Sequence, residues 1–556
     1  MNKRVLLILF VLFAAFSSRM AAQSGAVKKV ANAVLSITTF KADGSILATA
    51  NGICISNDGT CVSPWSPFAG ADHAVAIDAK GQKHQVTKLM GANEIYNLVK
   101  FAISGAPAGV ATLASATANS GSAGWIVPYA KDGAPQKNSV KSAEKFMNKY
   151  NYYVLASQAD DKYNGCPLVA DNGQVLGVYL YSASTPSATD ARYANDFTLS
   201  GLSINDPVLR QCKIRVALPS DLKDAQLALL MSQQQDPNNY EATVKDFISM
   251  FPQQNDGYWG LANLQASKGD YLGADNIMKE AISKVSDKSE CHYNYSRLIS
   301  QYAQAKVDSL YAPWTFDKAL TEIKEAQKAD NNLAYKQQEG IIKYGQGNYQ
   351  EAYDIFMGLT HSKLRGGEVF YQAMQAKQKL GGTDQELLAL LDSAVAACDT
   401  PYTVVAAPYF LARGLQYGKM NKYREAVIDL YRYEVLNPSG CTAAFYFNRE
   451  QLEVKGRMWQ QALNDIAHVC LITKDEPLYW AEFASVNLQV HKYADAIGAA
   501  KRAIELSKDY ADAYLLLGVA QVENNERAEG MQNIAKAKEL GNQQADSFLK
   551  KYQQKK

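Results

Sequence analysis

A small residue that follows a short Gly/Lys/Asn-aromatic turn recurs at Ala426, Ala462, Ala496 and Gly530, in steps of 36, 34 and 34 residues. The marker returns upstream at Ala274 and Ala352, with weaker copies near Ala319 and Leu387. A fixed period of this length predicts helix pairs that cannot bury their apolar faces alone and must stack on one another. Small residues belong where two helix backbones touch, and aromatics where a knob fills a hole. Within one period, Trp480, Phe483 and Ala484 mark a first helix, Tyr493 opens the second, and Ala496 and Ala503 sit at its close contacts. Tyr514, Leu517, Gly518 and Ala537 repeat this register, as do Phe410, Gly414, Tyr417 and Tyr423 upstream.

Before this array the chain is written differently. Ala33–Phe40, Ala74–Ile77, Gly124–Val127, Tyr152–Leu155 and Gln174–Leu180 are short β-rich runs separated by Gly, Asn, Asp and Pro, which predicts a barrel or sandwich. The switch falls at Leu218-Pro219-Ser220-Asp221. The expected domains are a β domain over 26–219, an array of about eight repeats over 222–540, and a polar capping helix over 541–556.

With 556 residues the chain has room for several cores. Its 57 basic and 55 acidic residues leave a formal charge of +2 with no long run of one sign, which argues against nucleic acid or an anionic membrane as partner. Lys3 and Arg4, the apolar run Val5–Phe16 and Met20-Ala21-Ala22-Gln23 predict an export leader over 1–22. The run is short for a membrane span, and no later segment is apolar enough for one. The expected location is the periplasm, with secretion as the alternative. Eight cysteines carry no CxxC or His/Cys spacing, so no structural metal is expected. Cys54 and Cys61 flank the turn Asn57–Thr60 and either bridge across a hairpin or remain two small buried hydrophobes, since a one-residue register change turns one thiol away. No phosphate loop or dinucleotide fingerprint is present in a supporting context, so no cofactor is expected.

Three segments carry a resemblance: Gly52–Ser56 leading into Cys61-Val62-Ser63-Pro64-Trp65-Ser66, Asn97-Leu98-Val99-Lys100-Phe101, and Asn164-Gly165-Cys166-Pro167-Leu168-Val169. They resemble the HtrA-like branch of the trypsin family (peptidase S1), over roughly 190 residues. The resemblance implies a pair of six-stranded β-barrels, and the period of 34 resembles that of tetratricopeptide repeats. The expected fold class is therefore multidomain β plus α: a trypsin-like double barrel followed by an all-α superhelical solenoid.

The slots that hold His, Asp and Ser in that family hold Ser66, Asn97 and Asn164 here, with Gly70-Ala71-Asp72 fixing the first alignment. A serine attacks an amide at neutral pH only when a base takes its proton and a third group orients that base. The substitutions therefore imply a pseudoprotease; loss of a whole triad removes about 10⁶ in rate. Lys162 stands where the family has a glycine that shapes the oxyanion hole, and Cys166 replaces a second glycine. Two rearranged sites stand as alternatives, a Ser66–Lys162 dyad and a Cys166 nucleophile, the latter against Cys166 as a plain buried thiol. His73 is expected in the next strand and His84 at a hairpin tip, both as ordinary surface or satisfied histidines.

For the array, a concave partner-binding face is expected to carry Leu411, Leu415 and Lys419, then Phe447, Gln451 and Lys455, then Ala481, Ser485 and Gln489. These do not form the Lys/Asn cluster that grips a C-terminal carboxylate in some chaperone-binding relatives. The expectation is an exported interaction scaffold for envelope proteins or peptides, with an active peptidase or a holdase as alternatives.

Overall fold

The structure, a computed structural model, describes residues 25–305 and 311–554. The leader expected over 1–22 lies outside them. After a short helix α1 (Gly25–Val30), six strands close the first barrel: β1 (Val34–Phe40), β2 (Ile46–Cys54), β3 (Thr60–Ser63), β4 (His73–Ile77), β5 (Lys83–Asn93) and β6 (Leu98–Ile103). Their order is β1-β2-β3-β6-β5-β4, with β4 antiparallel to β1 at the seam. The second barrel joins β7 (Ala123–Ile126), β8 (Gln136–Phe146), β9 (Tyr150–Leu155), β10 (Pro167–Val169), β11 (Val175–Leu180) and β12 (Ser187–Asp190). It runs β10-β11-β12-β9-β8-β7 and closes with β7 on β10. This is the trypsin-like double barrel, and closure leaves neither sheet with a free edge.

Strand alternation fills each barrel. Leu35 and Ile37 of β1 point into the first core with Trp65, Phe68, Leu89 and Phe101. Ile126, Tyr153, Leu155, Leu168 and Tyr179 fill the second. The hairpin register sets Cys54 directly opposite Cys61, and the two form a disulfide.

Helices follow: α2 (Leu222–Gln235), α3 (Tyr240–Met250), α4 (Asn255–Ser267), α5 (Tyr271–Lys284) and α6 (Lys288–Gln304). The chain divides into two compact units between Cys291 and His292, later than the change of secondary structure near residue 220. The first helices belong with the barrels for a physical reason. Lys88 of β5 and Arg215 both reach Asp246 of α3 at 2.8 Å, and Leu89 exchanges backbone hydrogen bonds with the 215–217 segment.

The second unit is helical: α7 (Phe316–Ala329), α8 (Leu333–Gly345), α9 (Tyr349–Leu359), α10 (Gly367–Lys379), α11 (Asp384–Ala396), α12 (Ala407–Lys419) and α13 (Tyr423–Leu436). It continues with α14 (Ala443–Lys455), α15 (Trp459–Ile472), α16 (Pro477–Gln489), α17 (Tyr493–Leu506), α18 (Ala511–Glu523), α19 (Arg527–Glu539) and α20 (Ala545–Gln554). Each helix packs chiefly on the next in sequence, as in a solenoid. None of the described helices is long and apolar enough to cross a membrane.

The repeat read from the sequence is geometric. All eight markers, Ala274, Ala319, Ala352, Leu387, Ala426, Ala462, Ala496 and Gly530, are the fourth residue of their helix, and all are buried. At Gly530 even a methyl group is too large, because a Cβ there would stand 2.7 Å from the Gly518 carbonyl oxygen. The turns repeat too. Asn421, Arg457, His491 and Asn525 are left-handed, with φ of 59°, 56°, 61° and 68°, each two residues before the next helix. Gly269 and Gly347 hold the same place with φ of 84° and 83°, where glycine needs no steric concession. Two successive hairpins also share a bidentate pair, the partly buried Arg413 to Asp429 and the buried Arg449 to Asp465.

Candidate functional site

After β3, burial of Trp65 and Phe68 turns the chain so that Ser66 between them is exposed. Asn97 precedes β6 at φ 48°, a conformation asparagine tolerates better than most residues. Its carboxamide clasps Ser66 twice: Oδ1 accepts from the Ser66 amide at 2.7 Å, and Nδ2 donates to Ser66 Oγ at 3.2 Å. The hydroxyl thus has a neutral donor as its partner and no base. Asn97→Ala should remove both bonds and leave a Cβ residue in left-handed backbone, at a loss of about 1–2 kcal/mol. Asn97→Gly should lose less, and urea midpoints of the two variants check the ranking.

His73 opens β4, pairs with Asp72 at 3.1 Å and stacks on Phe40. His84 departs from the expected hairpin tip. It is buried on β5, with Nδ1 2.6 Å from the Ser104 carbonyl and Nε2 3.3 Å from Asp78 Oδ2. The tip is the Asp78–Gln82 turn, where the Asp78 carboxylate accepts from the Lys80 and Gln82 amides.

The loop before β10 is a tight 3₁₀ turn over Asp161–Tyr163. Every backbone amide from 162 to 166 donates inward. Lys162 gives to the Asp160 carboxylate at 3.1 Å, Tyr163 to the Asp160 carbonyl at 3.1 Å and Asn164 to the Asp161 carbonyl at 2.9 Å. Gly165 gives to Tyr179 at 2.8 Å and Cys166 to Tyr163 at 2.9 Å. An oxyanion hole needs preorganised donors aimed at empty space. The amides of Lys162 and Asn164 are both engaged within the loop.

Asn51 of β2 locks the loop from the opposite barrel. Its amide donates to the Asn164 carbonyl at 2.8 Å, while Nδ2 donates to the Lys162 and Asn164 carbonyls at 2.8 and 3.0 Å. The Asn164 side chain accepts from the Tyr181 amide at 3.0 Å. Cys166 is fully buried, and burial pushes its thiol far up, away from the thiolate a nucleophile requires. Lys162 is more than half exposed, 4.0 Å from Asp160, unlike a lysine desolvated for use as a base.

Lys162 and Asn164 line a 620 Å³ cavity with Asn51, Asp132, Asp161 and Tyr181, and Ser66 is not among the lining residues. Ser66 and Asn97 are therefore brought together, and Lys162 and Asn164 together, as two groups. Asn51 and Asp160 were missed in the sequence; an Asx-turn signal at Asp160-Asp161-Lys162 was available for the second.

Along the array, Leu415 is exposed and Lys419 Nζ is 2.7 Å from Asp384. Leu411 is half-buried against neighbouring helices, and Phe447 packs on Tyr479 with ring centroids 5.0 Å apart. Lys455 and Gln489 are exposed and Ser485 half-buried. Gln451 bonds Glu450 and Glu482. Ala481 is corrected: it is 4 % exposed and packed with Ala503 and Ala513, because α16, α17 and α18 meet on that side.

Known proteins were compared with this chain. No family model matches it, and no curated protein does. Among solved structures, the serine endoprotease from Yersinia pestis matches at 16% identity and a TM-score of 0.28, over 34% of this chain and 67% of that one. The HtrA-type protease AlgW with a tripeptide matches at 16% identity and a TM-score of 0.28, over 34% and 64%. The same protease with a decapeptide matches at 15% and 0.27, over 32% and 66%. The chain thus spans about two thirds of the length of these proteases, and two thirds of this chain lies outside the match.

Proposed function

We propose that this chain is an exported, periplasmic interaction scaffold. In this reading a trypsin-type domain over 26–219 has lost the cutting chemistry, and a tetratricopeptide array over 222–540, capped by 541–556, holds other envelope proteins or peptides. The leader over 1–22 would be removed on export. One observation carries the reading: the amides of Lys162 and Asn164 are both spent inside their own loop, and Ser66 has the neutral Asn97 as its side-chain partner. A domain with neither an activated nucleophile nor free oxyanion donors keeps surfaces for binding but lacks the electrostatic means of acyl transfer.

The test is reaction of the purified mature protein with a fluorophosphonate probe, beside Ser66→Ala and an active protease. No labelling above the Ser66→Ala background is expected. Labelling abolished by Ser66→Ala would replace the scaffold with a working peptidase. Affinity capture from envelope extract then separates a scaffold, which retains one or a few folded partners, from a holdase, which suppresses aggregation of many unfolded ones.

A further inference from the structure

The helical unit buries more carboxyl groups at one junction than it has cations to match. Helix α14 carries Arg449, Glu450 and Glu453 at 1 %, 0 % and 0 % exposure. The guanidinium is committed: Nε and Nη2 donate to Asp465 of α15 at 2.6 and 2.9 Å, and Nη1 donates to Glu434 of α13 at 2.7 Å. The ring of Tyr431 lies 3.7 Å from its central carbon. Glu453 Oε1 is left 3.9 Å from Nε, and the side chains that face Glu453 are the Tyr431 phenol, which favours its charged form, and the Asp465 carboxyl, which opposes it.

Glu450 faces Glu482 of α16. Gln451 Nε2 donates to Glu450 Oε2 at 2.9 Å and to Glu482 Oε1 at 3.2 Å, and Glu450 Oε1 has no donor. Five carboxyl groups from four helices therefore surround one guanidinium and one neutral amide. Tyr446 donates to Glu434 at 2.9 Å, with His468 against its ring; Cys441 lies near Glu434, Arg449 and Asp465, and Tyr510 near Glu482. None of these adds a second buried cation. Facing carboxyl groups in a dry site cannot both ionise; a proton held between them satisfies both.

We propose that two held protons, one shared between Glu450 and Glu482 and one carried by the buried Glu453, fasten this junction, and that the array loosens there as solution passes from mildly acidic to alkaline. Burial first, and neighbouring carboxylates second, push Glu450 and Glu453 each up to about 8. Burial raises Glu482 as well. Unfolded glutamates release their protons near 4.5, whereas the folded junction keeps its protons until about pH 8. The stability that these two groups contribute is therefore full below about pH 4.5, declines as pH climbs to about 8, and then levels.

Hydrogen exchange on the full mature chain tests this, with each rate referred to the unstructured rate at the same pH. Protection of α14–α16 amides should fall at least about tenfold from pH 5.5 to 8.5. Glu450→Gln with Glu453→Gln keeps the shape and the hydrogen bonds without the charge, and should flatten that fall. The proposal is overturned if wild-type protection is level across the range, or if the double variant falls as steeply. Should the double variant not fold, the wild-type trace decides alone, with a fall shared equally by the barrels also counting against the latch.

Discussion

Gly165→Ala is expected to unfold the barrel domain or to lower its stability by more than about 4 kcal/mol, a size reserved for a few mechanisms. Gly165 sits at φ +89°, and a Cβ there would stand 2.0 Å from the Asn51 carbonyl oxygen and 2.8 Å from its carbon. The left-handed conformation alone costs an L-residue about 1–2 kcal/mol. The collision adds more, because neither side can retreat. Asn51 is held by three hydrogen bonds to the 162–164 loop, and the Gly165 amide is held by Tyr179. Gly121→Ala is the control: φ is +85° with nothing within 4 Å, so only the conformational cost applies. Denaturation curves of the two variants separate collision from conformation, and equal losses would mean that the contact with Asn51 does not constrain the loop.

Arg449→Met is expected to cost about 3–5 kcal/mol, the range for breaking a buried ion pair by removing one partner. The loss follows less from the missing attraction than from what stays behind: Asp465, 7 % exposed, and Glu434 would remain without their counter-ion. Arg449→Lys should recover only part of this, since an ammonium cannot make the bidentate contact to Asp465 or stack on Tyr431. Arg413→Met should cost less, because that guanidinium is 13 % exposed and its second partner, Asp392, 48 %. Thermal unfolding of the three variants gives the order.

The fold was legible where one residue type answers to one geometric demand. The recurring small residue became the fourth position of a helix because packing there excludes bulk, with the buried Leu387 as the exception, and the β-rich runs became strands because alternation decides which face is buried. The candidate site was legible only in its side chains. Ser66, Asn97 and Asn164 could be read, but the fate of the loop amides depends on a 3₁₀ turn and on Asn51, more than a hundred residues away in sequence. His84 looked like a tip because nothing local shows Asp78 folding back beneath it. The Arg449 cluster was hidden for a similar reason: Arg and Glu four apart on a helix read as a solvated pair until another helix covers them.

The left-handed residue that stands two places before six of the second helices makes the array divisible. Two such turns share a left-handed residue at the same distance from the helix that follows, so cutting after Arg457 and rejoining after His491 should keep the turn. The number of helical steps is thereby a quantity that duplication or deletion can alter in whole units, independently of the barrels, and the reach of the array becomes adjustable without redesign of any one hairpin.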